Sequence, residues 1–252
     1  MSLALGQWRL AAKATSPQVA ARAAGPLRIE SLSRQGGRGS ENQDAYLVLA
    51  EARLFAVADG MGGHAGGRIA SRLAIDTLYQ AMTAVGTAVS VAAIEHAIER
   101  GHQRIRHAAV SDARLGGMGS TLVVAWWEGQ RLHCFHVGDS RAYRWRDYRL
   151  AQLTADHSAP AARAGGRKGA LLRALGAGAA LEVDYACHAW CAGDGLLLCS
   201  DGISDVLAGY RISNLLASRG EGEGVASPMI DQAERLGGRD DKTVVWVEEG
   251  VA

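Results

Sequence analysis

The chain is poor in cysteine, proline and phenylalanine, with four, four and two copies in 252 residues. Four scattered cysteines are too few for a disulfide scaffold. Cys134 and Cys199 sit inside apolar runs, as small buried hydrophobes do. Cys187 and Cys191, with His188 between them, lack the second ligand pair that a zinc site needs. No apolar run approaches the ~20 residues that span a bilayer, and no continuous apolar segment marks a secretory signal. Neither sign of charge dominates: 27 Lys and Arg face 26 Asp and Glu. A nucleic-acid partner is thereby excluded, because phosphate backbones are held by clustered, uncompensated cations. These absences predict a cytoplasmic protein with no membrane span.

What is present is a chain long enough to remove roughly 70–75% of its unfolded surface from water, with 48% hydrophobic residues. Residues 1–25 are Ala-rich and basic (Arg9, Lys13, Arg22), with no acid before Glu30. That composition reads as a flexible tail, and it is also the composition of organelle transit peptides. Residues 26–252 read as one domain.

Short apolar runs at 45–50 and 54–58 predict buried strands joined by a polar turn. Apolar residues at helical spacing predict helices over 67–82 and 89–110. The period then changes. Segments 120–127, 131–137, 141–145 and 150–153 are β-branched and aromatic, with turns such as Glu128-Gly129-Gln130, and predict consecutive antiparallel strands. A polar, Gly-rich loop follows near 159–170. Strands are expected again at 181–190, 195–200 and 243–248, with helices at 203–207, 212–217 and 225–236. Grouped strands and grouped helices predict an α+β fold, sheet on sheet with helices outside. His133 and His136 alternate with apolar residues and read as strand residues. Trp126 and Trp127 read as core aromatics, and His96, His102 and His107 as part of an outer amphipathic helix.

The aspartates carry the chemistry. Asp44 opens a strand, and Asp59, Asp139 and Asp201 each close one: Phe55-Ala56-Val57-Ala58-Asp59-Gly60, His136-Val137-Gly138-Asp139 and Leu198-Cys199-Ser200-Asp201-Gly202. Asp240 and Asp241 precede the last strand. Strands buried side by side bring their ends together at one sheet edge, so these carboxylates should converge. Two carboxylates ~4 Å apart repel by about 4 kcal/mol at an effective dielectric of 20. Such a cluster needs protons or cations, and oxygen-only donors suit Mg²⁺ or Mn²⁺.

From about Arg38 to Val247 the chain resembles the metal-dependent PPM protein phosphatases, the protein-phosphatase-2C type. The resemblance is carried in order by Asn42-Gln43-Asp44-Ala45, Val57 to His64, Gly119-Ser120-Thr121, Val137 to Tyr143, Leu153 to Ser158, Leu172 to Gly176, Cys199 to Gly202 and Asp240 to Thr243. The Met-Gly-Gly-His form resembles the bacterial branch. The resemblance implies a four-layer α-β-β-α sandwich with two antiparallel sheets and outer helices. It also implies hydrolysis of phosphoserine and phosphothreonine in opposition to a partner kinase. Two Mg²⁺ or Mn²⁺ ions ~3.5–4 Å apart would activate a water for in-line attack. Position by position, Asp59 bridges both ions, the Gly60 carbonyl binds one, and Asp44, Asp201 and Asp240 complete the shell. Asp139, with Asp201, matches a position tied to a third, weaker ion.

Three departures bear on roles. The phosphate-gripping arginine expected five residues before Asp44 is replaced by Gly39, so Arg38 takes that role in preference to Arg34. Met61 follows Asp-Gly where some relatives have histidine, and His64 is assigned to the leaving group or substrate, or to a supporting position. Asp241 stands where the family usually has asparagine, which fits either tighter ion binding or a solvated charge. The loop near 159–170, with Arg163, Arg167 and Lys168, is a shortened flap. The alternatives are a non-catalytic phosphoprotein-binding or sensor domain on the same fold, and a hydrolase of small phosphoesters.

Overall fold

The computed structural model describes residues 9–10, 27–37, 39, 41–86, 88–159, 169–220 and 223–249. Its elements are β1 (Arg9–Leu10), β2 (Leu27–Arg34), β3 (Asp44–Leu49), β4 (Leu54–Met61), α1 (Gly63–Val85), α2 (Val91–Ser111), β5 (Gly119–Ser120), β6 (Leu122–Glu128), β7 (Arg131–Val137), β8 (Arg141–Arg146), β9 (Arg149–Gln152), β10 (Asp184–Ala189), β11 (Gly195–Cys199), α3 (Asp201–Ser204), α4 (Gly209–Ser218), α5 (Ala226–Arg235) and β12 (Lys242–Glu249).

Strand residues alternate between two faces, and here both faces are buried. On β4, Leu54, Ala56 and Ala58 pack under α1 and α2, among Ala70, Leu78, Ile94 and Ile98. Phe55 and Val57 face the other way, onto Leu196, Leu198, Val245 and Val247. On β11 the intervening Leu197 and Cys199 pack under Ile203, Ile212, Leu216 and Met229 of the second helical layer. Three cores therefore separate four layers, helices–sheet–sheet–helices, as expected. Trp126 lies in the first core and Trp127 in the core between the sheets.

The first sheet runs β1-β10-β7-β6-β4-β3 with β5 beside β4, and the second β2-β12-β11-β8-β9. All pairings are antiparallel except β1 with β10. Arg9 and Leu10, within the expected tail, thus extend a sheet; the rest of that tail lies outside the described residues. Strand β2 was not foreseen. Its mixed sequence, Leu-Arg-Ile-Glu-Ser-Leu-Ser-Arg, has weak alternation, and its eight-residue pairing with β12 supplies what its composition does not. Helix α1 starts four residues earlier than its apolar spacing suggests. Gly62 turns the chain at φ 116°, and the helix then runs through Gly66, ahead of the start that the apolar spacing predicts. Among the described residues no helix is long and apolar enough to cross a membrane.

Candidate metal centre and its relatives

Strands β3 and β4 set Asp44 directly opposite Asp59. Asp59 is locked through its main chain. Its N–H donates to Thr121 Oγ1 (2.9 Å), and its carbonyl accepts from the Thr121 N–H (2.8 Å) and from Ser120 Oγ (3.1 Å). A side chain on Gly60 would collide with the Gly67 carbonyl, so glycine is required where the strand turns under α1. The second sheet reaches the same point. Ser200 Oγ donates to Asp44 Oδ2 (2.7 Å), and Thr243 Oγ1 donates to the same oxygen (2.6 Å). Asp44 Oδ1 is buried and has no hydrogen-bond partner among the described residues.

Asp139 lies where the chain passes from β7 in one sheet to β8 in the other. Gly138, at φ 107°, makes that turn, and its N–H donates to His157 Nδ1 (3.1 Å). Asp201 opens α3 immediately after β11. Asp240 precedes β12, and its carbonyl accepts from the buried Lys242 amine (2.6 Å). Asp59, Asp139, Asp201 and Asp240 line one cavity of about 420 Å³, with Asp44 beneath it. Four of the strand-end aspartates thus share one cavity wall.

Electrostatics follow from that geometry. Burial, then the charges of Asp44, Asp201, Asp139 and Asp240, hold the Asp59 carboxyl well above the usual range. Burial pushes Asp44 up to about 7 against the lowering effect of the Thr243 and Ser200 hydroxyls, while Asp241 and Asp240 push it further up. Among the described residues no three acidic, His or Cys side chains close into a finished ion cage. The donors nonetheless fit a hard divalent ion: they are carboxylates, and one buried oxygen on Asp44 lacks a partner.

The remaining expected residues fall as follows. Arg38 lies outside the described residues, as do the flap cations Arg163, Arg167 and Lys168. His64 lies in the first turn of α1, its side chain outside the described set. Arg34 is ion-paired to Asp231 (2.8 Å) and Glu234 (2.9 Å) and turned to that surface. Asp241 is half-buried and does not line the cavity. Its oxygens accept from the Gly36 and Gln43 N–H groups, each at 2.7 Å, fastening the segment that leads into Asp44. His133 and His136 are buried strand residues, and His102 is buried with its Nδ1 accepting from the Gly176 N–H (3.0 Å). Cys134 and Cys199 are buried, and Cys187 and Cys191 are exposed; all four are free thiols.

Sequence reasoning missed the hydroxyl set Ser120, Thr121, Ser200 and Thr243, although each lies inside a quoted motif. It also missed Asp205, which lines the cavity one helical turn beyond Asp201. The i,i+4 spacing was the available signal.

Comparison with known proteins identifies the family. Residues 34–237 match the sequence profile of the family described as Protein phosphatase 2C. The serine/threonine protein phosphatase PstP of Mycobacterium tuberculosis is 35% identical over 237 residues, covering 87% of this chain but 44% of that protein. The chain thus spans less than half of that relative's length. The serine/threonine phosphatase stp of Listeria monocytogenes is 35% identical, with 88% of this chain and 92% of that one covered. The crystal structure of the PstP catalytic domain in complex with two manganese ions superposes with a TM-score of 0.78 at 34% identity, covering 88% of this chain and 97% of that one. By profile, by relatives and by fold, the chain belongs to the protein phosphatase 2C family.

Proposed function

We propose that this chain is a Mg²⁺- or Mn²⁺-dependent protein serine/threonine phosphatase that acts on cytoplasmic phosphoproteins and opposes a cognate kinase. One observation carries this reading. The Asp44–Asp59 pair of one sheet and the Asp201 and Asp240 loops of the other meet at one cavity, in a chain of this family.

Asp59, the Gly60 carbonyl, Asp44, Asp201 and Asp240 would hold two ions, and Asp139 with Asp201 a third, weaker one. Bound there, divalent ions lower the pKa of a water and offset charge on phosphoryl oxygens. The chain supplies the rest. Ser120 and Thr121 fix the Asp59 main chain and so set the point from which its carboxylate enters the cavity. Ser200 and Thr243 occupy Asp44 Oδ2 and leave Oδ1 as the acceptor available at the site. The Arg38 guanidinium offers a planar fork for the phosphoryl oxygens. His64, at the start of α1, is assigned to the leaving group. The non-catalytic alternative draws support only from the displaced arginine, whereas the carboxylate set favours turnover.

The test is purified protein in excess Mn²⁺, assayed on an aryl phosphate, phosphothreonine peptides, and sugar and nucleotide phosphates. Hydrolysis led by phosphopeptides is expected. Failure on both aryl phosphate and phosphopeptides overturns the reading, and preference for small metabolite esters replaces its substrate class.

A further inference from the structure

Resting on the phosphatase reading, the charge at the cavity points to one more residue. Asp59, Asp139, Asp201, Asp205 and Asp240 lie on its wall, and Asp44 is beneath. A phosphate monoester dianion has to enter past this wall of carboxylates. A fixed cation at the mouth removes that barrier, and a guanidinium suits it because it is always charged and matches phosphoryl oxygens in pairs.

Among the described residues that line the cavity, Arg239 is the only basic one. It is exposed, and among the described residues its side chain has no ion-pair or hydrogen-bond partner. Its backbone, by contrast, is held. Gly237 turns at φ 85°, and the Gly238 N–H donates to the Ala233 carbonyl (3.0 Å). Any side chain at Gly36 would strike the Arg239 and Asp240 carbonyls, so Gly36 packs directly on this main chain. Gly36 is tied to Asp241 as well. Arg239 is therefore an uncommitted guanidinium on a fixed platform, beside Asp240 and against Gly36.

We propose that Arg239 is a substrate-binding residue, donating from its guanidinium to the phosphoryl oxygens of the incoming phosphoserine or phosphothreonine at the cavity mouth.

Four proteins test this: wild type, Arg239→Ala, Arg239→Lys and Arg149→Ala. The last removes an equal charge from the exposed far end of β9. Three quantities are measured: KM for a phosphothreonine peptide at saturating Mn²⁺, the inhibition constant of inorganic phosphate, and Mn²⁺ affinity by calorimetry. Arg239→Ala should raise both KM and the phosphate constant about tenfold, as loss of a charge-assisted contact does. Lysine should recover part of it, and Mn²⁺ should bind at least as tightly as in wild type. A KM and a phosphate constant within twofold of an active wild type overturn the proposal, and so does an equal effect of Arg149→Ala. Should wild type prove inactive on every ester, the phosphatase reading fails separately. Calorimetric binding of phosphate to the manganese-loaded proteins then decides Arg239: weaker binding by Arg239→Ala supports the contact, and equal binding removes it.

Discussion

In the metal-free protein, Asp44→Asn is expected to gain stability over wild type as pH rises, an unusual sign for loss of a polar active-site group. The Asp44 carboxyl is buried and pushed from 3.8 up to about 7. A raised folded pKa means that the native state binds more protons than the unfolded chain. The stabilising effect of protonation is then complete below pH 3.8 and is lost as pH climbs to about 7. At 1.36 kcal/mol per pKa unit, a shift of this size removes about 3 kcal/mol of wild-type stability between pH 5 and pH 8. Asparagine stays neutral throughout, and its carbonyl oxygen still accepts from Ser200 or Thr243. Buried His136, held down at about 3 by burial and by the neighbouring His157, acts in the opposite sense and loses stability on acidification. It is common to both proteins, so the observable is their difference. That difference should move in favour of Asp44→Asn by about 3 kcal/mol from pH 5 to pH 8, roughly 6–12 °C in melting temperature for a domain of this size. Thermal and urea unfolding of EDTA-treated protein by circular dichroism reads it. Added Mn²⁺ should reverse the order at pH 8, stabilising wild type far more than the variant. A difference that does not change with pH, or one that favours wild type with rising pH, would refute the electrostatic account of the site.

Asp59→Asn and Asp201→Asn should each lower kcat/KM by about a hundredfold or more while the far-ultraviolet spectrum is retained, because these side chains supply charge rather than packing; near wild-type turnover in both would contradict the assignment. Asp241→Ala should cost about 2–4 kcal/mol in urea denaturation, since it strands the Gly36 and Gln43 N–H groups that the carboxylate now accepts from; a loss below about 0.5 kcal/mol would show that this clamp does not matter. His136→Phe should flatten the acid limb of the stability profile, recovering about 2 kcal/mol at pH 5 relative to pH 8, and an unchanged limb would remove His136 as its source.

Much of the architecture was legible because it is written in local periodicity. Strands such as Leu54–Met61 and Gly195–Cys199 are buried on both faces and read as continuous apolar runs, and such runs belong between layers. Boundaries were less legible where packing overrides propensity. Gly66 precedes the helix that the apolar spacing predicts, yet it lies inside α1 with Gly67, where the helix passes close to Met118, Gln43 and Gly60 and a side chain at Gly67 would collide. Strand β2 was illegible, because its eight residues are half-buried throughout and only β12 tells them which way to face.

By itself the sequence determined that carboxylates stand at strand ends, that glycines flank them, and that a hard divalent ion is the natural counter-charge. Tertiary structure alone decided which oxygen of Asp44 remains unpartnered, that Asp241 clamps a loop instead of facing the cavity, and that Asp205 and Arg239 share its wall. The physical reason is separation along the chain: Asp44 meets Ser200 and Thr243 across 156 and 199 residues. No local pattern encodes a hydrogen bond that exists only after two sheets have stacked.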